Sequence, residues 1–225
     1  TGGHDLGVTG NMRLFGTVIP GGATIQASGN VALDGTLTMT DPADRLEVGG
    51  DFTGAGSANL SAGTVEFKKS FRYTGSSWQA TGTNRTVLSG GPDMTVTFGS
   101  PATCWFSDVT IAEGTTLSSG SALSIKPSGL GDIAVAAPLV YLQGSLNGHD
   151  VQITGSVTAP AGTTLTAGGG SLSISGDLLL DNSTLVMTNA ADTVTVGGDF
   201  TAKGPDHTGK LTAGTLVAFL FYALF

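Results

Sequence analysis

The sequence predicts an all-β protein, a β-solenoid of short strands resembling a right-handed parallel β-helix, and three observations predict it. The first is composition: 36 of 225 residues are glycine and only 12% are charged, about half the usual share of charge. Ser, Thr, Gly and Asn must therefore supply the polar surface, and the strong helix formers Lys, Glu, Gln and Arg are scarce. The second is period-2 alternation of apolar and hydroxyl residues, as in Met94-Thr95-Val96-Thr97-Phe98, which marks a half-buried strand. Gly, Asn, Asp and Pro punctuate such runs at intervals of about seven to ten residues. The third is internal repetition, the signature of stacked architectures.

The repeat is long. Leu46-Glu47-Val48-Gly49-Gly50-Asp51-Phe52-Thr53 returns as Val194-Thr195-Val196-Gly197-Gly198-Asp199-Phe200-Thr201 at an offset of 148. Thr36–Thr40 matches Thr184–Thr188 at that same offset, and Gly3-His4-Asp5 reappears as Gly148-His149-Asp150 at 145. Leu60–Thr64 pairs with Leu211–Thr215 at 151. The offset creeps upward in small steps, as it would if insertions fell in turns and spared strands. One complete period spans 1–147, and a partial second one spans 148–225, within what reads as one continuous solenoid.

The strand candidates in chain order are 23–27, 31–33, 36–40, 45–48, 64–67, 85–88, 94–98, 107–111, 122–125, 132–135, 151–153, 163–166, 171–174, 178–180 and 193–196. No window of helical length carries an apolar stripe. β-Sandwich repeats are the alternative, but the strands are shorter than such sandwiches use and no Cys…Trp…Cys framework exists. Phrases also recur within one period, as in Gly114-Thr-Thr-Leu117 and Gly162-Thr-Thr-Leu165. Roughly 20 residues per coil gives about eleven coils, each burying one face on its neighbours.

Charge and cysteine content narrow the function. A formal net charge of −8 without a basic stripe disfavours nucleic acid. The only clustered bases are Lys68, Lys69 and Arg72. The single cysteine, Cys104, lies beside Trp105 and Phe106 with no basic neighbour, and reads as a small buried apolar residue. The run Leu216–Phe225 is apolar but half the length of a membrane-spanning helix; it reads as a buried strand or the stub of a further copy.

The runs Leu37–Phe52 and Leu60–Phe67, with Thr81–Gly90, Met94–Phe98 and Trp105–Ile111, resemble long repeats of large secreted bacterial surface proteins. Those proteins often carry immunoglobulin-like domains elsewhere. The resemblance covers nearly the whole chain and rests on strand–turn phrases. It implies a solenoid-like fold and an extracellular or cell-surface location, and it brings no catalytic residues.

Several residue groups have the composition of a functional site. Gly-Gly-Asp-Phe at 49–52 and 197–200 is similar to part of a nucleotide-cyclase signature, but lacks its second acid and its helical setting; it reads as a turn in which the glycines adopt unusual φ and the Asp caps. His4-Asp5 and His149-Asp150 are isolated pairs, short of the four converging ligands of a structural zinc site. Asp41/Asp44 and Asn189/Asp192 occupy equivalent loops and read as Asx turns in preference to calcium ligands. Acids are too dispersed for a polysaccharide-cleaving groove. Thr-x-Thr at 36/38/40, 95/97, 164/166 and 193/195 raises an ice-binding alternative, although outward strand positions favour Thr in any case.

The expectation is a non-catalytic extracellular structural repeat: a stalk, matrix or filament component, or adhesin, that self-associates. No metal, cofactor, nucleic acid or membrane span is expected. The alternative is a glycan-binding module, in which exposed Tyr73 and Trp78 stack on sugars.

Overall fold

The structure is a computed structural model that describes residues 2–128, 131–204 and 210–224, and among these every regular element is a β-strand. The chain forms two compact units, Thr1–Leu123 and Ser124–Phe225. Each is built from parallel strands stacked as a β-solenoid, with about ten turns in all.

The first unit has three parallel sheets, one for each side of the coil. The first contains Leu6–Val8, Thr24–Ala27, Arg45–Val48, Thr64–Phe67, Arg85–Leu88 and Asp108–Ile111. The second contains Met12–Leu14, Val31–Leu33, Phe52–Gly54, Phe71–Tyr73 and Val96–Phe98, and the third Thr17–Val18, Thr36–Met39, Ser57–Leu60 and Ser77–Ala80. Ile25 pairs with Leu6, Leu46 with Ile25, Val65 with Leu46 and Thr86 with Val65, steps of 19, 21, 19 and 21 residues. The last step has one extra residue at 74–76, and the rest of the alternation arises at the corner between the third and first sheets. That corner is five residues long at 40–44 and three at 61–63.

Alternation along each short strand decides what is inside. Ile25, Leu46 and Val65 line the first sheet's inner side, Val31, Phe52 and Phe71 the second's, and Leu37, Ala58 and Trp78 the third's, all buried. Aromatic rings fill the later turns. Phe52 stacks on Phe71 with centroids 5.2 Å apart and planes 4° apart, and Trp78 meets Phe71 edge-on at 5.1 Å. Such pairs add roughly 0.5–1.5 kcal/mol each beyond the area they bury.

The Gly-Gly-Asp-Phe corners correct one expectation. Neither Gly49–Gly50 nor Gly197–Gly198 has positive φ; glycine is required because the preceding turn lies against it. A Cβ on Gly50 would stand 2.3 Å from Asn30 Oδ1, and one on Gly198 would stand 2.1 Å from Asp177 Oδ1. Those same oxygens accept the amide N–H of Asp51 and of Asp199, both at 2.9 Å. The capping is thus a ladder between turns: Asn11 Oδ1 accepts from Asn30 N–H (2.9 Å), Asn30 from Asp51, and Asp51 from Ser70 N–H (3.3 Å). At these three turns a side-chain amide or carboxylate satisfies a backbone donor of the next turn's corner.

In the second unit the first two sides mostly run together, although Ser171–Ile174 and Leu178–Asp181 remain separate strands. Ile133–Leu142, Val151–Ala159 and Thr193–Lys203 are single strands with register shifts between Ala136 and Leu139 and between Val196 and Asp199. β-Bulges bend each strand where the first unit breaks it. The third side is Gly144–Ser145, Thr164–Thr166 and Thr184–Val186. The apolar tail is a strand, Thr215–Leu224, paired in parallel with Thr193–Lys203; Phe225 lies outside the described residues. The 148-residue sequence offset corresponds to about seven turns of this length.

Candidate functional surfaces

The three sides of the first unit present different outward chemistry. The first sheet is charged. Arg45 reaches Glu47 (2.6 Å) and Glu66 (3.1 Å), Lys68 reaches Glu47 (3.4 Å), and Arg85 faces Asp108 (3.4 Å). Burial raises the Glu47 pKa, but hydrogen bonds from Arg45 and Lys68 outweigh it and hold the carboxyl below its usual range. The third sheet is neutral: Thr17, Thr36, Ser57 and Ser77 form one outward rank, and Thr38, Asn59 and Gln79 another. The second sheet carries Arg13, Ala32, Thr53, Arg72 and Thr97 along its middle. Its small residues leave two adjoining depressions that share Thr53, of about 420 and 330 Å³.

Tyr73 and Trp78 do not reach this surface. Both are 0% exposed, which corrects the expectation that they stack on sugars. Each falls on the inward phase of its strand, Phe71–Tyr73 or Ser77–Ala80. The Tyr73 hydroxyl donates to the Gly56 carbonyl and accepts the Ser77 N–H at 3.3 Å. Burial raises its pKa, only partly offset by the Ser77 bond. Cys104 is buried against them, its Sγ accepting the Trp78 N–H at 3.4 Å.

The histidine–aspartate pairs serve coil-to-coil contacts. Asp5 Oδ1 accepts the Thr24 N–H (2.8 Å), Asp150 Oδ1 accepts the Ser171 hydroxyl (2.6 Å), and His149 Nδ1 lies 3.5 Å from Asp132. No three His, Cys, Asp or Glu side chains cluster as a metal site among the described residues. Asp41 and Asn189 form the Asx turns, accepting from Ala43 and Ala191 N–H. Their neighbours Asp44 and Asp192 are 1% exposed. Asp44 accepts from Gly22, Thr40 and Asp41 N–H at 2.7, 2.8 and 3.0 Å; Asp192 accepts from Gly169 and Asn189 N–H at 2.6 and 2.9 Å.

Thr-x-Thr does not form one array: Thr36/Thr38 lie on the third sheet, Thr95/Thr97 at the second, and Thr193/Thr195 on a long strand of the second unit. Sequence reading missed the second-sheet groove and the Asn11–Asn30–Asp51 ladder. The available signal was Asn or Asp directly before three successive second-sheet strands, at Asn11, Asn30 and Asp51, with Ser70 in that place at the next. No family model matches the chain, and neither the curated proteins nor the solved structures compared with it give a significant match.

Proposed function

We propose that this chain is a non-catalytic structural repeat of an extracellular or cell-surface protein, a stiff spacer in a stalk, matrix or adhesin. One observation carries the reading: polar side chains at the corners are used to join each turn to the next. The Asn11–Asn30–Asp51 ladder and the buried carboxylates Asp44 and Asp192 all bond to backbone N–H groups of neighbouring turns or of their own corner. Stability in such a stack accumulates from nearest-neighbour interfaces along one dimension. Sequence resemblance and the low-charge, Ser/Thr-rich composition support the extracellular, bacterial assignment.

Self-association belongs to the same proposal. Among the described residues, Leu6–Val8 and Thr215–Leu224 each have one strand partner, and an edge of that kind takes up further turns of the same protein or another chain. The exposed large apolar residues of the described chain lie in these terminal turns: Leu6, Phe15, Ile19, Leu211, Val217 and Phe219, the last 85% exposed. Sedimentation velocity over a wide concentration range should show association that Phe219→Asp weakens. A strict monomer at high concentration removes this part. The non-catalytic part fails if the protein releases new reducing ends or unsaturated products from a panel of polysaccharides.

A further inference from the structure

The groove on the second sheet has an unused guanidinium in it. Of the four arginines, Arg13 pairs with Asp34, Arg45 with Glu47 and Glu66, and Arg85 with Asp108. Arg72 alone has no carboxylate partner among the described residues, and it lines the depression formed with Thr53, Gly54 and Thr74. The adjoining depression continues over Ala32 to Arg13. Arg13 and Arg72 are three turns apart on one ladder, about 14 Å at the usual strand spacing.

We propose that this groove binds an extended acidic polysaccharide, with a carboxylate of the glycan on Arg72. The planar guanidinium fork suits a carboxylate, which it holds through two parallel hydrogen bonds. The floor between the arginines is cleared by Ala32, Thr53 and Gly54, leaving room for sugar rings. The nearest acids do not oppose the ligand freely: Asp34 is held by Arg13, and Asp51 accepts the Ser70 N–H. Hydroxyl and amide groups of Thr53, Thr74 and Asn30 offer partners for sugar hydroxyls. A peptide adding as a strand is ruled out here because the second sheet's inner strands are paired with turns on both sides. The net charge of −8 opposes any polyanion, nucleic acid included, so the attraction for the glycan is local to the Arg72 guanidinium.

The proposal goes beyond the structural role and can fail independently of it. Titration calorimetry with polygalacturonate, using neutral dextran as the comparison polymer, tests it directly. Binding of polygalacturonate that weakens with salt is expected, and Arg72→Ala should reduce it by about tenfold or more. Ala32→Leu, which fills the floor without touching charge, should also weaken it. Arg85→Ala on the first sheet should leave it unchanged. Absence of polygalacturonate binding, equal binding of dextran, or binding indifferent to both groove substitutions overturns the proposal.

Discussion

The corner at residues 40–52 and its counterpart at 188–200 are nearly superimposable in chemistry, yet the interiors they enclose are filled differently. Asp44 and Asp192 are both buried and accept backbone N–H groups, and Gly50 and Gly198 both lie against a side-chain oxygen from the preceding turn. Inside, the first unit packs Phe52, Phe67, Phe71, Tyr73, Trp78 and Phe106, whereas the buried apolar set of the second is Leu, Val, Ile, Ala and Met187 around Phe200. Corners must satisfy particular backbone donors at fixed distances, so few residues fit. An interior must only be filled to density, and many apolar sets do that.

A third corner shows what selects the residue. Asn84 occupies the position that Asp44 holds two turns earlier, but its Nδ2 donates to the Ala62 and Gly63 carbonyls at 3.0 and 3.2 Å. Where the preceding turn offers N–H groups the chain has a carboxylate, and where it offers carbonyls it has an amide.

The aromatic filling of the first unit gives the largest expected effect. Phe71 contacts Phe52, Phe67, Trp78, Phe98 and Phe106 at centroid distances of 4.8–5.2 Å. Phe71→Ala should cost about 4 kcal/mol, while Phe71→Leu, which keeps most of the volume, should cost far less. Both tryptophans, Trp78 and Trp105, lie in this unit, so denaturant unfolding followed by their fluorescence reads it selectively. Equal costs for the two variants would break the contrast between a filled interior and a specified corner.

Corner equivalence is tested next. Asp44→Ala leaves three backbone N–H groups without their acceptor, and Asp192→Ala leaves two. Losses of about 2–3 kcal/mol are expected at each, slightly larger at Asp44. Amide hydrogen exchange should quicken at Gly22 and Thr40 in one variant and at Gly169 and Asn189 in the other. A large loss at one corner with none at the other would show that the two copies share sequence without sharing a role.

Tyr73 offers a smaller, pH-dependent test of the aromatic interior. Its folded pKa is raised above the ordinary 10.0 by burial. The neutral form is therefore favoured by folding, so the contribution is intact below pH 10 and is lost as pH climbs from there through the raised value. Tyr73→Phe should abolish this alkaline loss, seen as a flatter stability profile above pH 10. At neutral pH it should cost about 1 kcal/mol, because the Gly56 carbonyl loses its donor.

What the sequence made legible follows the same division. The β class, the solenoid stacking and the 148-residue recurrence were readable because corner residues repeat. Strands such as Arg45–Val48 and Ser171–Ile174 were placed to the residue by their alternation. Phe52–Gly54, Phe71–Tyr73 and Ser77–Ala80 were missed, since each is short and lies among glycine, serine or charged residues that read locally as turn. The same brevity hid the inward phase of Tyr73 and Trp78. Burial there is set by pairing with turns some 20 residues away, which local pattern does not reveal. The groove was hidden for a related reason: Arg13, Ala32, Thr53 and Arg72 become neighbours only through register.

The smallest expected effect concerns a place where corner chemistry intrudes on the interior. The ladder Ile25–Leu46–Val65–Thr86–Val109 is apolar except at Thr86, whose Oγ1 is buried without a partner. Asn84 Oδ1 and Ser107 Oγ, one position before the paired residues Arg85 and Asp108, are likewise buried and unpartnered. A buried hydroxyl with no bond costs its desolvation, and valine has nearly the same shape. Thr86→Val should therefore raise stability by about 1 kcal/mol. If Thr86→Val lowers stability instead, the hydroxyl contributes a contact that valine cannot replace, and the interior here is specified as tightly as a corner.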